Sequence, residues 1–232
     1  MNRSGLRLDL HNHTTFSRDG LLTPAALLEE AKLRGISCLA VTDHSSVEGA
    51  LECFRLASLD PSLPRVIPGI ELSTVSGEII GFYVTRDIPK GLSVAEGIAR
   101  IRGQGGLTCL PHPYDLLRHG VIAGSERESA AAAVDMVEVA NGRTLAPRYN
   151  NAALALAHRH GKPHAAGSDA HRAVEVGRAY VVVDELPERD TLLGLVAAGR
   201  VEHLLRPAEY ARNWWFQALS PAIRVRRKVL RP

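Results

Sequence analysis

Cysteine is scarce in this sequence, and the few cysteines are not spaced for pairing. Only three occur in 232 residues, and each lies in or beside an apolar stretch, at Cys38, Cys53 and Cys109. Disulfide frameworks and zinc knuckles need an even count or close C-x-x-C pairs. The pattern therefore predicts reduced core thiols in a cytoplasmic protein.

Long hydrophobic runs are missing as well. No apolar run approaches the roughly 18 residues that a membrane-spanning helix needs, and no basic-then-apolar leader opens the sequence. We therefore expect no transmembrane segment. The 28 lysines and arginines exceed the 25 acidic residues by a net charge of only +3. That excess is too small to indicate a nucleic-acid or membrane partner by itself.

Short apolar runs alternate with helical patterns along most of the chain. Strands are predicted at 6–10, 38–42, 66–72, 79–84, 107–110, 136–140, 163–166 and 179–183. Helices are predicted from Thr23-Pro24 to Gly35 and at 47–58, 93–102, 147–160 and 188–198. Hydrophobic residues make up 45% of the chain, enough for a sizeable core. Repeated strand–helix units predict an α/β fold with parallel strands, either a barrel or a doubly wound sheet.

The first strand ends in residues that can bind a metal ion. Its leucines share one face, whereas Asp9, His11 and His13 share the other. Two imidazoles at i and i+2 can hold one metal ion, and Asp9 can orient one of them. Taken alone, two histidines at a strand end are more often exposed to solvent than bound to a metal ion.

Four further predicted strands also run into histidine or carboxylate. These residues are His44, Glu71, His112, and the pair Asp169 and His171. Active sites of parallel α/β folds gather at the carboxyl ends of their strands, and core histidines have no reason to concentrate there. Imidazole and carboxylate without thiolate favour Zn²⁺, Mn²⁺ or Fe²⁺ in a catalytic site. Glu71 and Asp169 are the candidates for a carboxylate that bridges adjacent ions.

These motifs resemble those of the polymerase and histidinol phosphatase (PHP) domain family. The matching pieces follow the family order over residues 6–183: Asp9-Leu10-His11-Asn12-His13-Thr14, Ser17-Arg18-Asp19-Gly20, Thr42-Asp43-His44, Pro68-Gly69-Ile70-Glu71, Pro111-His112-Pro113 and Gly167-Ser168-Asp169-Ala170-His171. The resemblance implies a distorted (β/α)7 barrel with two or three divalent ions, Mn, Zn or Fe. It also implies three ligand sets: His11, His13, Glu71 and Asp169 for the first ion, Glu71 and His112 for the second, and Asp19, His44 and His171 for the third.

One position departs from the family pattern. Where the better-known members often place a further histidine ligand for the second ion, this sequence has Glu78. A carboxylate there could bind metal, and a surface glutamate at the start of a strand is the alternative. Near other strand ends, Glu138 and Asn141 are candidates for supporting or substrate contacts. Arg143 and Arg118 are candidate phosphate clamps, because guanidinium matches phosphate geometry.

The predicted function is hydrolysis of a phosphate ester by metal-bound hydroxide, with Asp169, His171 and Arg143 in catalytic roles. The substrate is expected to be a small phosphorylated metabolite, a nucleotide or the end of an oligonucleotide. Two alternatives stay open. An amidohydrolase-like barrel would cleave C–N bonds, although such sites usually use a bridging lysine where this chain has Glu71. A non-catalytic domain that binds metal or phosphate is expected to have lost ligands.

Composition changes only near the end. From Tyr210 onward the chain has Trp214, Trp215 and Phe216, followed by a run of arginines and a lysine between 224 and 231. We expect one catalytic barrel over residues 1–205 and an amphipathic, basic extension over 206–232. The aromatic cluster is more typical of a core or an interface than of a base-stacking surface.

Overall fold

The computed structural model describes residues 5–115, 120–206 and 208–215. Within them the strands are β1 (Leu6–Asp9), β2 (Cys38–Val41), β3 (Arg65–Ser73), β4 (Glu78–Phe82), β5 (Leu107–Leu110), β6 (Met136–Asn141), β7 (His164–Gly167), β8 (Ala179–Val183) and β9 (Arg200–His203). The α-helices are α1 (Pro24–Leu33), α2 (Glu48–Leu59), α3 (Val94–Arg102), α4 (Gly124–Ala133), α5 (Pro147–Arg159) and α6 (Leu192–Ala198). Residues 173–175 form one turn of 3-10 helix, and 208–215 are helical.

One sheet contains all these strands, in the order β7-β6-β5-β4-β3-β2-β1-β8-β9. The sheet curls until β7 and β1 come together. There Leu10 donates its backbone N–H to Ala166 O at 3.0 Å. Just beyond the two strands, Asp169 N donates to His11 O at 2.7 Å and His13 N donates to Ala170 O. The result is the distorted, nearly closed seven-stranded α/β barrel expected from the sequence, with β8 and β9 attached outside the closure.

The expectation that the predicted strands are all parallel is wrong for β4 and β8. β4 runs antiparallel to both β3 and β5, since the four residues 74–77 form a hairpin too short for a crossover helix. β8 is antiparallel to β1 and to β9. In the β3–β4 hairpin, Ser73 pairs with Glu78. The start of β4 therefore lies at the same end of the barrel as the carboxyl ends of the parallel strands.

Helix-terminus signals in the sequence are confirmed where side-chain chemistry specifies them. Thr23 caps α1 through a bond from Ala26 N, and Ser93 with Glu96 forms a capping box on α3. Two elements were missed, α4 and β9. The α4 sequence has a weak apolar stripe and no capping side chain, and β9 has a single large apolar residue, Val201.

The barrel interior is filled by small and medium-sized apolar side chains from each of the strands β1 to β7. They include Leu8, Ala40, Ile67, Ile80, Phe82, Cys109, Met136 and Ala165. The three cysteines are buried and form no disulfide. Two further apolar clusters lie between the sheet and the helices that cover it. The apolar filling ends below the strand ends, where buried polar side chains take over.

The C-terminal region is described only as far as the helix at 208–215. Trp214 is 50% exposed and Trp215 is 65% exposed, so neither fills the core as the aromatic pattern suggested. Phe216 and the basic tail lie outside the described residues, as does Arg118. None of the helices in the described ranges is long and apolar enough to cross a membrane.

Candidate metal centre

All nine predicted ligands meet at one end of the barrel. His11 and His13 follow β1, His44 follows β2, Glu71 lies in β3, Glu78 begins β4, His112 follows β5, Asp169 and His171 follow β7, and Asp19 lies in the loop after β1. Among the described residues, four sets of three have ligand atoms within 4.8 Å of one another. These sets are His13–His44–His171, His11–His13–Asp169, His11–Glu71–His112 and His44–Glu71–Glu78.

Glu71 occupies the middle of this cluster. Its Oε1 lies 3.0 Å from His112 Nε2 and 3.4 Å from His11 Nε2. Its Oε2 lies 3.0 Å from His44 Nδ1 and 3.4 Å from His13 Nε2. The carboxylate is 1% exposed. It therefore contacts both sides of the cluster, as a ligand shared by neighbouring ions must.

Glu78 reaches the cluster because β4 is antiparallel. Its carboxylate is 3.5 Å from His44 Nδ1 and 4.0 Å from His112 Nε2. It thus lies on the Glu71 side of the cluster, nearer to His44 than to His112. Its position on the hairpin, opposite Ser73, places it beside the cluster, where 13% of its side chain is exposed.

The tautomer of His11 is fixed by Glu138, not by Asp9 as the strand alternation suggested. His11 Nδ1 donates to Glu138 Oε1 at 3.0 Å, because an ionised carboxylate can only accept. Asp9 instead accepts from Ser168 Oγ and from the backbone N–H of Ser168 and Gly177. The Nε2 lone pair of His11 is therefore directed into the cluster.

Ser17 fixes His13 in the same way. Its hydroxyl donates its only proton to Asp43 Oδ1 at 2.5 Å, so it accepts from His13 Nδ1 at 3.1 Å and from His44 N at 3.0 Å. Asp43 also accepts from the backbone and hydroxyl of Thr14. Neither Ser17 nor Asp43 was predicted to have a role. Their place in motifs that resemble those of the PHP family was the only sequence signal for them.

When both rings are neutral, the two Nε2 atoms thus face each other with lone pairs and no proton between them. They are 3.1 Å apart, and the carboxylates of Glu71 and Asp169 lie 3.4–3.8 Å away. Four acceptors converging in a buried volume repel one another unless a cation lies among them. The donor set of imidazole and carboxylate therefore fits a divalent ion such as Zn²⁺, Mn²⁺ or Fe²⁺.

Charge coupling in the cluster moves the pKa values of the two histidines in opposite directions. Burial opposes protonation of His11, yet Asp169 and Glu71 raise its pKa well above the ordinary value. Burial lowers the pKa of His13 well below the ordinary value, and His171 lowers it further. Without metal, a proton on His11 therefore relieves the repulsion among these groups, and a bound ion would take the place of that proton.

Backbone strain is concentrated at the same place. His112 has φ of 30°, Asp169 has φ of 52°, and Ser45, next to His44, has φ of 53°. Non-glycine residues in this region cost on the order of 1–3 kcal/mol each and persist where the surroundings fix them. At Gly167 the strand passes so close to His11 that a Cβ would collide with it. The strand ends are thus bent to aim their side chains into one volume.

The sequence matches two family models that together cover most of the chain. Residues 9–117 match the model described as the PHP domain, and residues 147–201 match the PHP-associated model. An uncharacterized protein of Methanocaldococcus jannaschii is 37% identical over 185 residues, which are 78% of this chain and 72% of that one. The chain belongs to the PHP family.

This PHP protein is also similar to a solved structure and, over a short segment, to an exoribonuclease. A solved two-domain protein from Bacteroides vulgatus, described as "containing predicted PHP-like metal-dependent phosphoesterase", superposes with a TM-score of 0.71 at 18% identity, over 91% of this chain and 69% of that one. The 5'-3' exoribonuclease Rnm of Escherichia coli is 42% identical over 67 residues, 29% of this chain and 22% of that protein.

One arginine of the PHP site lies buried against the ligand cluster. Arg143 Nη1 is 2.7 Å from His171 Nδ1 and 3.6 Å from Asp169 Oδ1. His171 is held in turn by Glu175, which accepts from its backbone N–H at 2.8 Å. The guanidinium of Arg143 thus contacts two of the predicted ligands. Glu138 and Asn141 have supporting contacts, since Asn141 Nδ2 donates to Glu138 and to Asp169.

Ser17→Ala tests whether the buried hydroxyl orients the ligands. The change removes the acceptor for His13 Nδ1–H and leaves Asp43 one donor short. Loss of a group that orients a ligand lowers metal affinity by about 10–100-fold. We expect that loss in calorimetric metal titrations, with Ser129→Ala, on the exposed side of α4, as the matched control. Equal affinities for the two variants would contradict the role of Ser17.

His44 makes metal binding depend on pH. Burial opposes its protonation, but Glu71, Glu78 and Asp19 raise its pKa to about 9 in the metal-free chain. Below that pH, a bound ion has to displace the proton from His44, so affinity is expected to rise with pH up to that value. Calorimetry in buffers of different ionisation enthalpy measures the released protons. His44→Gln should release fewer per ion, and an unchanged number would contradict this origin.

Proposed function

We propose that the chain hydrolyses a phosphate ester with the help of two or three divalent ions held at the barrel end. The observation that supports this most strongly is the position of Glu71, whose two oxygens lie 3.0–3.4 Å from four imidazole nitrogens. A single ion does not need so many ligands around one carboxylate. A cluster of adjacent ions does, because they repel each other unless an anion lies between them.

The proposed ligand sets follow the geometry and the family resemblance together. His11, His13, Glu71 and Asp169 hold the first ion, Glu71 and His112 the second, and Asp19, His44 and His171 the third. Asp19 fits the third set because its Oδ1 is 3.4 Å from His171 Nε2 and 3.6 Å from His44 Nε2. Glu78 adds a carboxylate between the second and third sets.

Bound there, divalent ions neutralise phosphate charge and lower the pKa of coordinated water, which supplies a nucleophile near neutral pH. The protein orients the reacting groups and limits their contact with bulk water. Arg143, only 7% exposed, provides planar N–H donors for phosphate oxygens. Asp169 and His171 border the same space, and Arg143 would stabilise the charge on the leaving group. Ser17, Asp43 and Glu138 keep the imidazoles aimed at the ions.

The expected substrates are a small phosphorylated metabolite, a nucleotide or the end of an oligonucleotide. The match to an exoribonuclease supports testing oligonucleotide ends, although it covers only a part of that enzyme. C–N hydrolysis is less well supported, because the place of a bridging lysine is taken by Glu71. Loss of catalysis is also poorly supported, since the nine predicted ligands are all present and close together.

The deciding experiment measures metal content and hydrolysis on the same preparation. The full chain is loaded with Mn²⁺, Zn²⁺ or Fe²⁺ and tested on p-nitrophenyl phosphate, its bis-aryl diester, nucleotides and 5'-phosphorylated oligonucleotides. At least two ions per chain and turnover of one phosphate ester are expected. Full metal content without cleavage of any of them would overturn the proposal.

Asp169→Asn is expected to abolish hydrolysis while the protein stays folded. The change keeps the shape of the side chain but removes a charge that controls metal affinity and the acidity of bound water. The barrel core is built elsewhere, so thermal unfolding should remain cooperative. Asp184→Asn, at an exposed position just after β8, is the control for charge loss alone. Activity retained by Asp169→Asn at full metal content would remove Asp169 from the ligand set.

Variants of Glu78 test whether its carboxylate is one of the metal ligands. Glu78→Gln keeps the size and one acceptor oxygen but loses the charge, so it is expected to weaken one ion preferentially. Glu78→His restores the commoner family pattern and should shift preference toward Zn²⁺. Metals per chain and kcat for both variants measure this. No change in either quantity would show that Glu78 is not a ligand.

A further inference from the structure

Arg143 lies on a short loop whose backbone decides where the guanidinium points. The loop leaves the end of β6, and its start is packed so tightly that a Cβ at Gly142 would lie 2.7 Å from Ser168 O. Arg143 N donates to Asn141 Oδ1 at 2.9 Å, and Leu145 N donates to Asp115 Oδ2 at 3.2 Å. These bonds satisfy N–H groups of the loop and leave its carbonyls to be bound from elsewhere.

The helix at 208–215 binds those carbonyls. Asn213 Nδ2 donates to Gly142 O at 3.2 Å and to Thr144 O at 2.9 Å, the carbonyls immediately before and after Arg143. Trp214 Nε1 donates to Leu145 O at 3.1 Å. The Asn213 side chain thus binds the residues on both sides of Arg143, the residue that contacts the ligand cluster.

The amide of Asn213 can act in only one orientation. Its Oδ1 accepts from Arg178 Nη1 at 2.8 Å, and a guanidinium can only donate. Its NH₂ therefore faces the two carbonyls, and all three contacts are satisfied at once. Asn213 is 2% exposed, so no water replaces these bonds when they are lost. Few side chains other than asparagine supply two donors and one acceptor in this space.

Asn213 lies outside the segments that match the family models, which end at residues 117 and 201. It belongs to the extension expected over residues 206–232. We infer that Asn213 is a positioning residue for Arg143, and that the helix at 208–215 completes the phosphate-facing wall of the site. The inference rests on the proposed phosphoesterase function, in which Arg143 contacts the phosphate.

Asn213→Asp is the sharpest test, because it keeps the shape and the contact with Arg178 but loses both donors. One carboxylate oxygen would then stand in the place of the NH₂ group, face two carbonyl oxygens and push the loop away. A misplacement of about 1 Å costs up to about 100-fold in rate. We expect kcat/KM on the best phosphate ester to fall 10–100-fold on that basis, mainly through KM. Metal content should stay unchanged.

A double-mutant cycle separates positioning from general damage. If Asn213 acts through Arg143, Asn213→Asp has little further effect in an Arg143→Ala background. Trp214→Phe removes a single bond to the same loop and should show a smaller loss with the same coupling, which keeps the test open if Asn213→Asp does not fold. Trp215→Ala, on the same helix but exposed, is the control. Equal losses in both backgrounds, or no loss with Asn213→Asp, would overturn the inference.

Binding of inorganic phosphate to the metal-loaded chain gives a readout independent of turnover. Calorimetry should show weaker phosphate binding for Asn213→Asp and for Arg143→Ala, and wild-type affinity for Trp215→Ala. If wild type hydrolyses no phosphate ester but these binding differences appear, the proposed function fails and the role of Asn213 stands. If wild type is active and phosphate affinity is the same in all variants, the role of Asn213 fails.

Discussion

The structure of this site depends on an electrostatic requirement: lone pairs crowded into a dry volume need positive charge among them. His11 and His13 cannot turn their protonated nitrogens inward, because Glu138 and Ser17 already bind them. Glu71 adds a carboxylate that is almost completely buried. Without metal, a proton on His11 supplies the positive charge, and a bound divalent cation would supply it in that proton's place.

Much of the barrel serves that requirement. Its closure is completed by backbone bonds beside the ligands, at Leu10, His13 and Asp169. The positive φ angles at His112 and Asp169 are tolerated there because the packed strands on either side leave no other path. The apolar filling below supplies the stability that offsets this strain, and it also keeps the ligand cluster away from bulk water.

The sequence predicted the parts of the molecule in which a local pattern and the fold agree. Apolar runs located the seven barrel strands, and the motifs at their ends predicted side chains that the structure brings together in one cluster. The direction of β4 was missed, because the turn signal of Ser76-Gly77 is weaker than the strand–helix alternation along the rest of the chain. The partner of His11 was misassigned because Asp9 is near in sequence, whereas Glu138 is 127 residues away and reaches it only through barrel closure. Asn213 gave no signal, since a lone polar residue near the end of a helix has no pattern of its own.

The hairpin of β3 and β4 carries two of the predicted ligands, so these two would move together if the hairpin moved. Glu71 and Glu78 are only seven residues apart and belong to one pair of hydrogen-bonded strands. The imidazoles after β1, β2 and β5 belong to separate segments of the chain. A local opening of one strand end would release one or two imidazoles and leave Glu71 and Glu78 in place. Detachment of the hairpin would withdraw both of these carboxylates together and leave only Asp169 and Asp19 to offset the charge of bound ions. Metal loss and the first step of barrel opening would then be the same event.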